Sequence, residues 1–392
     1  MPTLRGWALT GAGFALLLLW YLFGDAELLL SGSFFIVAQL AAIAYVRFRS
    51  PNLSLSRLLG SPSVQSGDSA TVTVLLHNSG TRTMTNISVE DEVKGLGSAT
   101  FELARLDKDE HASATYRVSC RPRGVYQVGP TRATTTDPLA MAELSSDPGP
   151  IHRLVVYPFI EDLSDFPIVH GQDSFVQASQ PDHSHRRGED FFSLREFQSG
   201  DDMRRVHWPS SAKADELMIR QLETPLRSRA LVLLDVRPGS YESSDAFEKA
   251  VSGAASVVTH LVGAGFDCDL WAGTPTLVDA SDYTAVMERL ALVAPNPDID
   301  IEAAAARVWV AGGGGALVLI SGNADRALLS VSRLLAAEHP TTVLMTASST
   351  SSQTLPDFQR AGAAMIGIDP NELWASAWLA AMRSSWNVVS HT

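Results

Sequence analysis

The chain has 392 residues, a formal net charge of −13, 45% hydrophobic residues and 2 cysteines. That length exceeds the usual size of one domain, so more than one folded unit is expected. The acidic balance argues against a nucleic-acid partner, because phosphate binding needs a basic patch. Cys120 and Cys268 lie far apart, so no disulfide framework or thiolate metal site can be read from them.

Residues 7–23 and 28–46 contain no charged side chain, and each approaches the roughly 20 residues that cross a hydrocarbon core. The connector 24–27 is short and acidic, Arg5 precedes the first run, and Arg47, Arg49 and Arg57 follow the second. This distribution places both ends on the cytoplasmic side. Trp7, Trp20, Tyr21 and Tyr45 fall near the ends of the runs, where aromatic rings favour the headgroup zone. A cleaved signal peptide has a shorter apolar core and no second run. The expectation for residues 1–50 is a transmembrane hairpin that meets the bilayer through 7–23 and 28–46.

Residues 51–150 change to period-two alternation. The runs 70–76, 85–90 and 112–119 are rich in β-branched residues and separated by turn-forming clusters at 77–80, 94–97 and 107–109. That pattern predicts a small immunoglobulin-like β-sandwich. It would serve as a spacer, a docking surface or a plain structural module.

Within the linking segment 151–228, residues 181–214 are dense in charge and aromatics. Arg195, Glu196, Asp201, Asp202, Arg204, Arg205, His207 and Lys213 can pair among themselves, while Phe191, Phe192, Phe197 and Trp208 supply apolar anchors. His183, His185, Glu189 and Asp190 are conceivable metal ligands, and His207 with Asp201 or Asp202 a conceivable general base. Neither set has a recognised spacing, and an ionic network is the preferred reading.

From residue 229 to 392 short apolar runs alternate with amphipathic ones. Strands are predicted over 230–235, 266–271, 316–320 and 342–345, and helices over 244–262, 324–336 and 371–382. This alternation predicts an α/β domain with a mainly parallel sheet covered on both faces. Asp235 falls at the carboxyl end of its first strand, where such sheets bind ligands. The glycine run 312–315 precedes a strand and lacks a lysine, so it does not read as a phosphate loop.

Gly200, Asp201, Arg204 and Trp208, preceded by Arg195-Glu196-Phe197, form a Gly-Asp-x-x-Arg-x-x-x-Trp core. It resembles that of the bacterial family called domain of unknown function 58. The likeness extends to Arg123-Gly124-Val125-Tyr126, Gly129-Pro130 and Asp137-Pro138-Leu139, and so along nearly the whole chain. With Gly188, Glu189 and His207, the core residues make a candidate interaction surface.

The resemblance implies a C-terminal domain similar to von Willebrand factor A, a Rossmann-like fold in which Asp-x-Ser-x-Ser holds a divalent cation. Here the sequence is Asp235-Val236-Arg237-Pro238-Gly239, so both serines are lost and Arg237 brings a positive charge. Asp235, Arg237 and Gly239 therefore mark a degenerate site, with no metal and no cofactor expected. After the later strand, Ser321-Gly322-Asn323 lacks the aspartate that often supports the cation.

The family also implies a MoxR-type AAA+ ATPase as partner. The expected function is a membrane-anchored, non-enzymatic adaptor or scaffold on the cytoplasmic face of a bacterial membrane. The alternatives are a metal-dependent enzyme or binding protein of envelope metabolism centred on Asp235, and a purely structural envelope component.

Overall fold

The computed structural model describes residues 1–48, 53–145, 149–163, 193–197, 203, 206–214, 216–221, 229–310, 315–339, 341–348 and 354–389. These fall into two compact units, one formed by residues 1–160 with 284–294, the other by 161–283 with 295–392.

The first unit begins with two helices long and apolar enough to cross a membrane, α1 (Leu4–Phe23) and α2 (Ala26–Phe48). Gly24, in the left-handed region with φ 79°, ends α1 and lets the chain reverse. The helices pack closely because small residues meet: a methyl group added to Gly13 would sit 3.1 Å from the Gly32 carbonyl oxygen. Gly6 faces Gln39 in the same way, which fixes an antiparallel register.

The β-rich part of this unit has two facing sheets. Among the described residues, β1 (Leu53–Leu59), β3 (Ser69–Asn78) and β6 (His111–Ser119) form one sheet in the order β1-β3-β6. The other has the order β2-β9-β7-β4-β5, built from β2 (Ser63–Gln65), β4 (Met84–Val93), β5 (Gly97–Leu106), β7 (Gly124–Thr136) and β9 (His152–Tyr157), with β8 (Glu143–Ser145) added to β7. Alternate residues of β3 and β4 point inward, as a pleated strand with one buried face requires. Val72, Val74, Val89, Val128, Leu154 and Val156 are among the residues they meet or supply in the core. The unit thus runs past residue 150, because β9 is the buried apolar run Leu154-Val155-Val156 paired to β7.

Arg57, one of the arginines that follow the second apolar run, is not a surface residue in the folded unit. It lies on β1 with its side chain fully buried against Asp91 of the facing sheet. Its Nε donates to Asp91 Oδ2 at 3.0 Å, and its NH1 donates to the carbonyls of Val128 at 2.6 Å and Pro150 at 2.9 Å. Thr131 and Tyr116 donate to the same carboxylate at 2.9 and 2.7 Å. Arg57 is therefore an internal bolt between the sheets. Arg49 lies outside the described residues.

The 284–294 segment is bound to this unit by two arginines. Arg123 donates to the carbonyls of Leu290 and Val293, and Arg153 forms a two-pronged pair with Glu288 at 2.7 and 2.9 Å. Arg123, read in the sequence as part of a motif, thus holds the end of a helix from which carbonyls project.

The second unit is α/β. Its sheet runs β14-β13-β12-β15-β16-β17, from β12 (Arg229–Leu234), β13 (Asp267–Trp271), β14 (Val278–Asp279), β15 (Ala316–Ser321), β16 (Thr341–Ala347) and β17 (Ala364–Ile368). All pairs are parallel except β13 with β14. Every residue of β15 is buried, as expected for a strand covered on both faces. The helices of this part of the chain are α4 (Ser244–Gly263), α5 (Tyr283–Leu292, most of it in the first unit), α6 (Ile301–Val310), α7 (Arg326–Ala336), α8 (Leu355–Arg360) and α9 (Trp374–Val389).

Trp374 and Trp378 of α9 are fully buried. Trp374 Nε1 donates to the Lys249 carbonyl at 2.9 Å, and a methyl at Gly253 would lie 2.8 Å from that indole nitrogen. Glu161 fastens the start of the unit, accepting from Lys249 Nζ at 2.6 Å and from the Ala375 backbone at 3.1 Å.

Both cysteines are buried and free. Burial, with Asp269 and Asp279 nearby, pushes the Cys268 thiol up to about 12. Thiolate is the reactive form, so a thiol reagent at pH 8 should leave the folded chain unmodified and label both cysteines only in denaturant. Rapid labelling of Cys268 without denaturant would contradict its burial. Folding retains this proton, so the thiol's contribution to stability is intact below its unfolded value of about 8.5. It is lost as pH climbs towards about 12.

Candidate functional site

The carboxyl ends of β12 and β15 bring three side chains together. Asp235, the residue after β12, is fully buried. The Arg237 guanidinium forks onto it, with Nε donating to Oδ1 at 3.0 Å and NH2 to Oδ2 at 2.8 Å. Ser321 Oγ donates to Oδ2 at 3.0 Å. On its far side Arg237 reaches Asp325, with NH1 3.0 Å from Oδ2. Asp325 is the N-cap of α7, its Oδ1 accepting from the Leu328 N–H at 2.8 Å.

The local sequence explains the geometry. Val236 is buried while Pro238 opens a short 3-10 turn over Pro238–Ser240, so Arg237 folds back over its own strand end. The Tyr241 hydroxyl then donates to the Asp235 carbonyl. Burial works against the charge on Arg237, but the two carboxylates outweigh it and its pKa rises above the usual guanidinium value. Burial, then the nearby Asp235, raises Tyr241 well above the ordinary phenol. Gly239 lies in the turn and brings no ligand to the cluster.

A hard cation requires several oxygen ligands converging on one open point. Here the oxygens of Asp235 and Asp325 converge on a guanidinium belonging to the chain itself, so these residues do not fit a divalent metal. In the sequence Asp325 reads only as part of the predicted helix over 324–336, not as a partner of Asp235. Its signal was an aspartate directly before the amphipathic run of α7, a common N-cap.

The described residues of the charged signature segment belong to a small element of the second unit. β10 (Ser193–Glu196) pairs antiparallel with β11 (Met218–Gln221), setting Arg195 opposite Ile219 and Glu196 opposite Met218. The Phe197 backbone N–H continues the ladder to the Leu217 carbonyl at 2.8 Å. Between the strands lies α3 (Trp208–Ala214).

His207 leads into α3. Its N–H donates to the Met218 carbonyl at 2.8 Å, its carbonyl accepts from the Ser210 and Ser211 N–H groups, and its Nδ1 lies 2.8 Å from Ser210 Oγ. These contacts give it a capping role. Trp208, by contrast, is 63% exposed. Gly188, Glu189, Gly200, Asp201 and Arg204 lie outside the described residues, as do His183, His185, Asp190, Asp202 and Arg205. No group of three potential metal-ligating His, Cys, Asp or Glu side chains occurs among the described residues.

Residues 193–268 match the family described as protein of unknown function DUF58. The chain carries a DUF58 domain. The match begins at the first residue of β10 and ends within β13, so it takes in α3, β11, β12 and the Asp235–Arg237 fork. A curated relative, the uncharacterized protein YeaD of Bacillus subtilis (strain 168), is 34% identical over 153 residues, 38% of this chain. That alignment spans 37% of the relative's own length.

Among solved structures, the CARDB domain of a Pyrococcus furiosus protein is similar over 27% of this chain and 93% of its own, with 18% identity and a TM-score of 0.22. A β-glucosidase from Listeria innocua is similar over 27% of this chain and 16% of its own, with 14% identity and a TM-score of 0.19. Likenesses at these scores carry no argument about the DUF58 domain or its neighbours.

Proposed function

We propose that this DUF58 protein is a membrane-anchored, non-enzymatic adaptor or scaffold of the cytoplasmic face. In this reading its β-rich part is immunoglobulin-like, its α/β unit is of the von Willebrand A type, and its partner is a MoxR-type AAA+ ATPase. The observation that carries the non-enzymatic part is the Arg237 fork, which puts a fixed internal cation where an α/β sheet of this kind would hold a metal. The alternative of a metal-dependent enzyme centred on Asp235 needs open oxygen ligands at that point, and the guanidinium takes them. Anchoring is supported by α1 and α2, whose 20 and 23 residues suffice to span a bilayer.

The partner surface in this reading includes Trp208. A tryptophan left 63% exposed is the kind of side chain that dominates protein interfaces. The test is gentle solubilisation from native membranes followed by quantitative mass spectrometry of co-isolated proteins, with the wild type compared against Trp208→Ala. An AAA+ ATPase should accompany the wild type and fall at least about tenfold with the variant. Thermal melting should be unchanged, since Trp208 supports no core. Recovery of no ATPase with or without nucleotide would sink the adaptor reading.

A further inference from the structure

The loop between β7 and β8 is tied to the membrane hairpin at a defined level. The Met141 carbonyl accepts from the Thr3 N–H at 3.0 Å and from Gln39 Nε2 at 3.2 Å, and the Ala140 carbonyl accepts from Thr3 Oγ1 at 2.6 Å. Pro2 bridges to Ala142, and the Glu143 N–H donates to the Met1 carbonyl at 2.8 Å. A methyl on Gly6 would strike the Met141 carbonyl oxygen and the Gln39 amide. The loop therefore sits beside Thr3–Gly6 and Gln39, where the first apolar run begins and well inside the second.

The same contacts change how much of α2 is available to lipid. Beyond Gln39 the helix continues to Phe48, about 13 Å at the usual rise. There Ala42 and Val46 are buried with Met141 and Ala142. One face of the last two turns of the second apolar run is thus covered by the β-rich part, while Leu40 on another face stays exposed.

The loop itself is built for a medium poor in water. Asp137 turns its carboxylate inward, accepting from the N–H groups of Leu139 at 2.9 Å and of Met141 and Ala142 at 2.6 Å each. The Ala140 N–H bonds the Asp137 carbonyl, and the Asp137 N–H bonds the Ala142 carbonyl. Every backbone N–H from Asp137 to Glu143 is thereby bonded, Pro138 having none. An ordinary surface turn can leave such groups to water, whereas a loop at the edge of hydrocarbon cannot. At its tip Leu139 is 68% exposed, and in the α1 segment that the loop is bonded to, Met1, Leu4 and Trp7 are exposed as well.

We infer that the 137–142 loop is a membrane-contacting element. It places Leu139 in the interfacial layer of the bilayer and seats the β-rich part directly on the lipid surface. This rests on the anchoring by α1 and α2 proposed above.

The full chain, reconstituted in phosphatidylcholine/phosphatidylglycerol vesicles, tests it with an environment-sensitive fluorophore at a single introduced cysteine. Leu139→Cys is the test position. Phe34→Cys, in α2, marks the bilayer, and Ser98→Cys marks water, because it lies at the end of β4 and β5 opposite the loop. The unsubstituted chain, with both cysteines buried, measures background labelling. The expected result is blue-shifted emission at 139 and quenching by lipids spin-labelled near the headgroup. Emission at 139 like that at 98, with quenching retained at 34, would overturn the loop insertion and leave the anchor standing. Loss of quenching at 34 as well would overturn both.

Discussion

Arg57→Met is expected to destabilise the first unit by about 3–5 kcal/mol, the usual cost of removing one partner from a buried ion pair. Asp91, fully buried, would be left with only the Thr131 and Tyr116 hydroxyls to bond it. The carbonyls of Val128 and Pro150 would each lose a donor. A fall of roughly 10 °C in the melting midpoint of that unit is the corresponding thermal readout. The double variant Arg57→Met with Asp91→Leu removes both charges and should recover most of the loss, because an apolar pair of similar volume replaces a buried ion pair at little cost. A double variant no more stable than the single one would show that the pair is not the source of the effect.

Arg237→Ala should destabilise the second unit by about 3 kcal/mol, at the lower end of that range because Arg237 is 19% exposed and water can reach the gap. The truncation leaves the buried Asp235 facing Asp325 with no cation between them. Arg237→Ser supplies a hydroxyl beside these carboxylates, and millimolar Mg2+ or Mn2+ should then raise its melting temperature while leaving the wild type unaffected. A rise in the wild type would mean that the guanidinium can be displaced, and the argument against a metal at Asp235 would fail.

The features easiest to read from sequence were those in which one periodicity dominates. The apolar runs of α1 and α2 stand out by length, and β3, β4 and β6 by alternation with one face buried. β7 was harder, although it lies centrally in its sheet, because Gly124, Gly129 and Pro130 read as punctuation. The two glycines have positive φ within or at the start of the strand, a local conformation that tertiary pairing overrides. α5 and α6 are ten residues each, too short and too weakly patterned to separate from the loops around them.

At the candidate site, adjacency in sequence made the Asp235–Arg237 pair visible, since two residues apart after a strand they cannot avoid one another. Asp325 could not be linked to it without knowing that β12 and β15 are neighbours. The burial of Arg57 was hidden for the same reason. A charge just beyond an apolar run reads as a surface charge until the strand it belongs to is found to carry it inward.

The first unit is discontinuous along the chain, since residues 284–294 complete what residues 1–160 begin. Translation proceeds at about 5–20 residues per second, so an emerging first unit waits roughly 6 to 25 s for that segment. During that time the grip of Arg123 on the Leu290 and Val293 carbonyls cannot form. The hairpin and both sheets reach the ribosome exit early, yet the unit is finished only when about three quarters of the chain has been made.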